Sequence, residues 1–480
     1  MMKNAAARGA GPAARLKLDE VSVTRIEGQY LGAPPFDPPN PIYDAVIETI
    51  RRLVGDKKSA KGNPLRGIVK PGFKVIIKPN FVANRDRNLL LDNERLFASS
   101  THPSVIRPVL DMVEDALEGA GRISIVDSPI EGSDIRDTLK RLGVYEMLNA
   151  LKGRYDVPVE LIDLRDFTYK RYMAADNLRI GGHSINLGYM KMIALPGDPR
   201  GYTTIDLGRA SCLEQLPDMD RLAFHRSRHL IPRGVHTKGR HLYSLANSVL
   251  DADVIINMPK MKTHKKSGVT LGMKSMVGLT NRKIWLPHFR KGSPPAGDEF
   301  ERPLSVLEKT LWRLSRVPVP GGDSLILNIV EAEKKEPVMD GGWQGNDTLW
   351  RTILDLVRAV LYSDGSGAVG LAPLRTCITI VDGIIAGQGD GPIRPEPKRG
   401  GILIAGAGLA AVDAACARIM GLDPGMVKTV SMAGRFFGKD LGPVDPDEIR
   451  WLPAETKDLD LRFKPPSYWP DLPAKDSPRE

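Results

Sequence analysis

The segment 251-DADVIINMPKMKTHKKSGVTLGMKSMVGLTNRK-283 opens with Val254, Ile255 and Ile256, a β-branched run that predicts a buried strand. Asn257 and Pro259 end that strand, because proline cannot donate to a sheet ladder. A lysine-rich loop with His264 follows. Gly268, Gly272 and Gly278 then interleave with Val269, Leu271, Met273, Met276 and Val277, a pattern too rich in glycine to be helical by propensity. From Val254 to Gly297 there is no acidic residue, whereas Lys260, Lys262, Lys265, Lys266, Lys274, Arg282, Lys283, Arg290 and Lys291 are all cationic. Uncompensated charge beside a buried strand points to an anionic ligand. A solvated basic loop is the plainer alternative.

Working outward, strands and helices alternate. FKVIIKPN (73–80) reads as strand, THPSVIRPVLDMVEDALEGAG (101–121) as helix with Thr101 as its cap, and RISIVDS (122–128) as strand: a right-handed βαβ unit. The connection from Phe81 to Ser100 is long for such a unit, which favours a functional loop. Helices are also predicted at 41–54, 134–150, 240–250, 303–315, 347–362 and 410–421, and strands at 21–26, 157–163, 376–383 and 401–406. The fold class is therefore α/β, with a mostly parallel sheet, flanking helices and two lobes about a central cleft. The expected divisions are a disordered basic tail (1–18), a first α/β lobe (19–164), an irregular insertion (165–239), a second α/β lobe (240–452) and an extended tail (453–480).

The 480 residues suffice for a full core, and the net charge of +10 favours an anionic partner. Aromatic content of 6% and the lack of zinc-finger, basic-zipper or RNA-binding signatures argue against nucleic acid. Cys212, Cys377 and Cys416 are far apart and form no CxxC, so no iron–sulfur cluster is expected from this chain, and sparse cysteine fits a reducing, cytoplasmic setting. The apolar window 401–422 carries Asp413, Arg418 and four glycines, which argues against a membrane span. Oligomeric state is not legible.

Ligands of open α/β sheets bind at the carboxyl ends of strands. The polar residues there are Lys78 and Asn80, Asp127 and Ser128, Asp163, Asn257 and Lys260, and Asp382. Lys262 belongs to the same basic run, and Gln388 and Asp390 stand in the glycine-rich DGIIAGQGDGP that follows. Lys274, set in GMKSMVG, has the small apolar surroundings that lower a lysine pKa and make a nucleophile or proton-transfer group. His288 and Asp298, in the Pro- and Gly-rich loop 284–302, are candidate metal ligands, although nine nearby cations repel a bare divalent ion unless an anionic cofactor brings it. GAGLAA (406–411) matches a dinucleotide turn, but the acidic residue at the end of a second strand is missing, so tight helix–sheet packing is preferred there. Asn346 or Asp347 is expected to cap the helix after it.

KPNFV (78–82), STHPSV (100–105), PKMKTHKKSGVTLGMKSMVGL (259–279), VDGIIAGQGDGP (381–392) and AVDAACARIMGLDP (411–424) together resemble the family catalogued as domain of unknown function 362, from about residue 70 to 430. The central motif is similar, more distantly, to the nickel-dependent lactate racemases. That resemblance implies His264 as acid/base, Lys274 as the anchor of a nickel-pincer nucleotide, and His288 as a metal ligand. This chain has Thr270-Leu271-Gly272-Met273 where those enzymes have Ser-Gly-Gly before the lysine. Two functional readings follow: an enzyme of racemase-like proton or hydride transfer on an anionic small molecule, or a non-catalytic carrier of a metal or cofactor that works with a partner protein.

Overall fold

The computed structural model describes residues 16–54, 62–82, 93–130, 132–180, 183–224, 231–306, 328–330, 340–392 and 395–472. Residues 1–15 of the expected tail, 83–92 of the expected functional loop, and all but the first residues of the helix expected at 303–315 lie outside that set.

The chain begins with β1 (Glu20–Arg25), α1 (Pro41–Val54), β2 (Lys74–Pro79), α2 (Asn93–Ser99), α3 (Pro103–Leu117) and β3 (Arg122–Asp127). The residue that caps α3 is His102, whose ring nitrogen accepts from the Ser104 amide, and not Thr101. Thr101 is taken instead by the chain crossing below it: its hydroxyl donates to the Met258 carbonyl at 2.7 Å and accepts from the Asn80 amide at 2.9 Å. The helix expected at 134–150 is two helices, α4 (Ile135–Leu142) and α5 (Val144–Leu151), broken at Gly143. β4 (Val159–Asp163) follows, then the hairpin β5 (Phe167–Ile180) and β6 (His183–Ala194), and β7 (Tyr202–Asp206).

Two short strands, β8 (Leu222–Ala223) and β9 (His236–Thr237), precede β10 (Arg240–Ala246) and α6 (Asn247–Leu250). The helix expected at 240–250 is thus mainly a strand. RHLYSLA pairs antiparallel with β7 and buries Tyr243 and Leu245 completely, so tertiary pairing outweighs helical propensity. Then come β11 (Val254–Met258), β12 (Lys260–His264), β13 (Gly268–Thr270), the single turn α7 (Gly272–Ser275) and β14 (Phe289–Arg290). Beyond them are β15 (Asn328–Val330), α8 (Leu349–Tyr362), β16 (Thr376–Gln388), β17 (Glu396–Gly406), α9 (Leu409–Ile419) and β18 (Arg450–Leu452). Asn346 Oδ1 accepts from the Thr348 and Leu349 amides at the start of α8.

The main sheet has the order β18-β1-β17-β16-β11-β2-β3-β4. All of these strands run the same way except β17, which is antiparallel to both neighbours. Segments 19–164 and 240–452, expected as separate lobes, both feed this one sheet, because β11 lies between β16 and β2 and is parallel to both. Successive residues of β11 face opposite layers. Val254, Ile256 and Met258 join a core with Ile42, Val46, Val105 and Val109 of α1 and α3. Ile255 joins a second core with Ile353, Leu356 and Val360 of α8 and Val412 and Cys416 of α9. The alternation is the period of two of a strand covered by helices on both faces. At the end of β17, a side chain at Gly406 would lie 2.6 Å from Val412 of α9, so helix and sheet pack closely at the GAGLAA turn.

Ile256→Ala removes a fully buried side chain from the strand that joins the two segments. Its unfolding free energy in denaturant should fall by about 2–5 kcal/mol; a loss below about 1 kcal/mol would mean that β11 is not central to the core.

Candidate functional site

The carboxyl ends of β2, β3 and β11 lie side by side, since Ile77 is opposite Ile125 and Ile256. Each strand carries a polar residue at or next to its last position: Lys78, Asp127 and Asn257. Lys78 is fully buried and forms an ion pair with Asp127 at 3.0 Å. Its ammonium also donates to the Pro79 carbonyl at 2.6 Å and to Ser275 Oγ at 3.3 Å, beside Lys274. Asp127 is held in turn by the Phe81 and Ser128 amides, both at 2.8 Å. Gly278 passes directly over this pair. A Cβ there would lie 2.3 Å from Asp127 Oδ1 and 2.5 Å from Lys78 Cε, so only glycine lets the backbone come so close.

Lys260 and Lys262, on alternate positions of β12, are both fully buried. Lys260 forms an ion pair with Asp382 at 3.0 Å. Asp382 also accepts from Tyr30 Oη at 2.7 Å and the His102 amide at 3.0 Å, and the Tyr30 ring stacks on His102 with centroids 3.9 Å apart. Burial, then the Lys260 charge, hold the His102 imidazole well below its usual range. Lys262 donates to the Ser99 carbonyl at 2.6 Å and to Asn80 Oδ1 at 3.2 Å. It has no carboxylate partner among the described residues, and burial followed by the charge of Lys260 pushes its pKa well down. Asn257 donates to the Gly272 carbonyl at 3.0 Å, and its own side-chain oxygen is buried with no partner. Ser128 Oγ and Thr270 Oγ1 are likewise buried and unpartnered. Native structures rarely leave such groups unsatisfied.

Lys274 sits at the end of α7, whose first two amides, of Gly272 and Met273, are held by buried Asp413 at 2.7 and 3.0 Å. Its backbone is thereby fixed, and its side chain is partly exposed. Among the described residues its ammonium has no hydrogen-bond acceptor. Burial first, then the charges of Lys283, Lys266 and Lys78, lower its pKa to about 7. Lys283 is itself tied to the Ser128 carbonyl.

His264 is buried and His288 partly exposed, and both are held well below the usual imidazole range by burial and by the charges of Lys266 and Lys274. Each is therefore neutral at pH 7, with opposite tautomers fixed by the backbone. His264 Nδ1 accepts from the Lys266 amide at 3.1 Å, so its proton is on Nε2. His288 Nδ1 lies 2.9 Å from the Leu286 carbonyl, which only accepts, so its Nε2 is bare.

Two of the residues read from sequence stand elsewhere. Asp390 is exposed and binds the C-terminal segment, accepting from the Ser467 amide at 2.9 Å and its hydroxyl at 2.7 Å. Asp298 is buried, and its carboxylate is occupied by Thr348 Oγ1 at 2.7 Å, the Asp347 amide at 3.1 Å and the Arg290 amide. Loop 284–302 is tied down accordingly: β14 pairs with β8, and Asn346 donates to the His288 carbonyl. Among the described residues no three His, Cys, Asp or Glu side chains converge to hold a metal ion. Sequence reading missed Tyr30, and it missed the place of His102 although STHPSV contains it. A cavity of about 1100 Å³ meets the cluster at Phe81 and Asp127 and is otherwise lined by α4, α5, β4 and the base of the β5–β6 hairpin, including Arg165 and Thr168.

A family model described as Domain of unknown function (DUF362) matches residues 75–188 and 208–418. A curated thylakoid-associated protein of Synechocystis sp. is 23% identical over 375 residues, covering 78% of this chain and 71% of that protein. No solved structure matches the chain. Among the described residues no helix is long and apolar enough to cross a membrane.

A lysine whose folded pKa is lowered from 10.5 to about 7 destabilises the fold fully below pH 7, where both states are charged, and progressively less as the pH rises toward 10.5. Lys274→Met should therefore melt higher than the parent protein at pH 6 in anion-free buffer, with the difference shrinking between pH 7 and 10. A constant or inverted difference would place Lys274 in a different environment.

Proposed function

The chain belongs to the family described as Domain of unknown function (DUF362), and on that premise we propose that it binds a small anionic molecule, a carboxylate or phosphate, among Lys78, Lys262, Lys266, Lys274 and Lys283. One observation carries this reading: Lys262 is fully buried and Lys274 partly so, and neither has a carboxylate partner among the described residues. An unpaired buried cation costs stability, and an anion that arrives from solution offsets that cost. The orphaned oxygens of Ser128, Asn257 and Thr270 on neighbouring segments supply further polar contacts.

The same groups support acid–base chemistry. A neutral His288 Nε2 accepts a proton and Lys274, partly protonated near pH 7, gives one, with His264 Nε2–H as a hydrogen-bond donor, while the other lysines stabilise the negative charge that develops on a carboxylate substrate as a proton leaves its α-carbon. This is proton transfer of the racemase or epimerase kind. Hydride transfer requires a redox cofactor that no residue identified above specifies. The other class, a carrier that binds without converting, rests on the same charge and differs only in turnover.

Phosphate, 2-hydroxy acids and 2-oxo acids, tested singly in a melting series, should include at least one that stabilises the protein by about 2.7 kcal/mol at a hundredfold excess over Kd. Lys274→Ala should reduce that gain. If no anion raises the midpoint, or if both proteins gain equally, the site is not where an anion binds. Exchange of the α-proton of a stabilising 2-hydroxy acid in deuterated water, followed by NMR, distinguishes enzyme from carrier.

A further inference from the structure

Four lysines of the cluster are committed by contacts. Lys78 is taken by Asp127, Lys260 by Asp382, Lys262 by Ser99 and Asn80, and Lys283 by the Ser128 carbonyl. Lys274 differs: it is partly exposed, and among the described residues no acceptor engages its nitrogen. Its main chain is held through α7 by Asp413, so the amine is presented from a rigid base. Resting on the anion-binding reading above, we infer that Lys274 is the amine that condenses with the carbonyl of an anionic oxo compound, a 2-oxo acid or a phosphorylated aldehyde, to form an imine.

The surroundings suit each part of that reaction. The charges on β2, β12 and the 276–283 segment attract the anionic group of the ligand, which leaves the carbonyl for Lys274, whose nitrogen no acceptor engages among the described residues. With its pKa lowered to about 7, a large share of the Lys274 amine is uncharged at neutral pH and has a free electron pair. That pair attacks the carbonyl carbon, and the C=O π pair moves to oxygen. The carbinolamine then loses water: the oxygen leaves with one proton from the lysine nitrogen and one from an imidazole N–H, and the second nitrogen proton restores the imidazole. His264, with its proton on Nε2, and His288, with a bare Nε2, are the neutral imidazoles able to relay these protons. Amine and carbonyl give imine and water, with no oxidant or reductant.

The test is reductive trapping of the full chain. Pyruvate, 2-oxoglutarate and pyridoxal 5′-phosphate are each incubated with the protein and cyanoborohydride at pH 7, and the product is analysed by intact mass and peptide mapping. At least one probe should give a reduced adduct that maps mainly to Lys274, inorganic phosphate should suppress it, and Lys274→Arg should lose it. Mapping on the wild type keeps the test decisive even if the variant fails to fold. Adducts confined to exposed lysines such as Lys265, with Lys274 unmodified by every probe, overturn the inference. In that event a melting shift with phosphate shows that only the imine has failed, whereas its absence, with no shift from any other anion, means that the anion site has failed too.

Discussion

The parallel pairing of β11 between β2 and β16 is the constraint on which the rest of the molecule depends. A strand with neighbours on both sides must satisfy its backbone groups in one register, and here that register sets Asn257 beside Lys78 on one side and Thr379 on the other. Beyond Pro259 the chain parts from β2 at the level of Pro79 but stays beside β16, with Lys260 opposite Asp382. Everything that follows, from β12 to α7 and the turn over Gly278, is delivered to the carboxyl edge of the sheet. Two segments separated by residues 165–239 thereby share two cores and one edge of the sheet.

That edge carries opposing requirements. Taking an ammonium group out of water is costly, and a buried ion pair recovers the cost only when its geometry and remaining hydrogen bonds are good. Lys78 and Lys260 meet the condition, since Asp127 and Asp382 are each held by further amide or hydroxyl donors. Lys262 meets it only in part, with neutral oxygens, and Lys274 not at all among the described residues. The charge is tolerated because the surrounding structure is rigid: Asp413 fixes α7, and Gly278 lies against the Lys78–Asp127 pair. Unpaired charge on a rigid frame is what distinguishes this edge from a solvated basic loop.

Most of the architecture was legible in the sequence. β-branched runs such as VIIN and TCITIVDG, and periodic helices such as PIYDAVIETIRRLV, carry their structure in their spacing. So does the placement of Lys78, Asn80 and Asn257 near the carboxyl ends of β2 and β11, whereas Lys260 opens a further strand beside β16. The reading failed where long-range contact decides. RHLYSLA is a strand because β7 lies beside it. Thr101 gave up its capping role because Met258, 157 positions away in the chain, takes its hydroxyl. Asp298 and Asp390 lie in loops that looked open in sequence, and the structure commits both to neighbours that no local pattern reveals.

The sequence by itself determined an α/β sheet and a run of uncompensated positive charge after its central strand, since both follow from composition and local period. Only the tertiary structure decided which of those charges find partners. Asp127 and Asp382 reach Lys78 and Lys260 across the sheet, Tyr30 closes on Asp382 from 352 positions away, and Lys274 is passed over. Chain separation does not encode side-chain proximity, and a charge becomes a site only when folding has settled which counter-charges remain out of its reach.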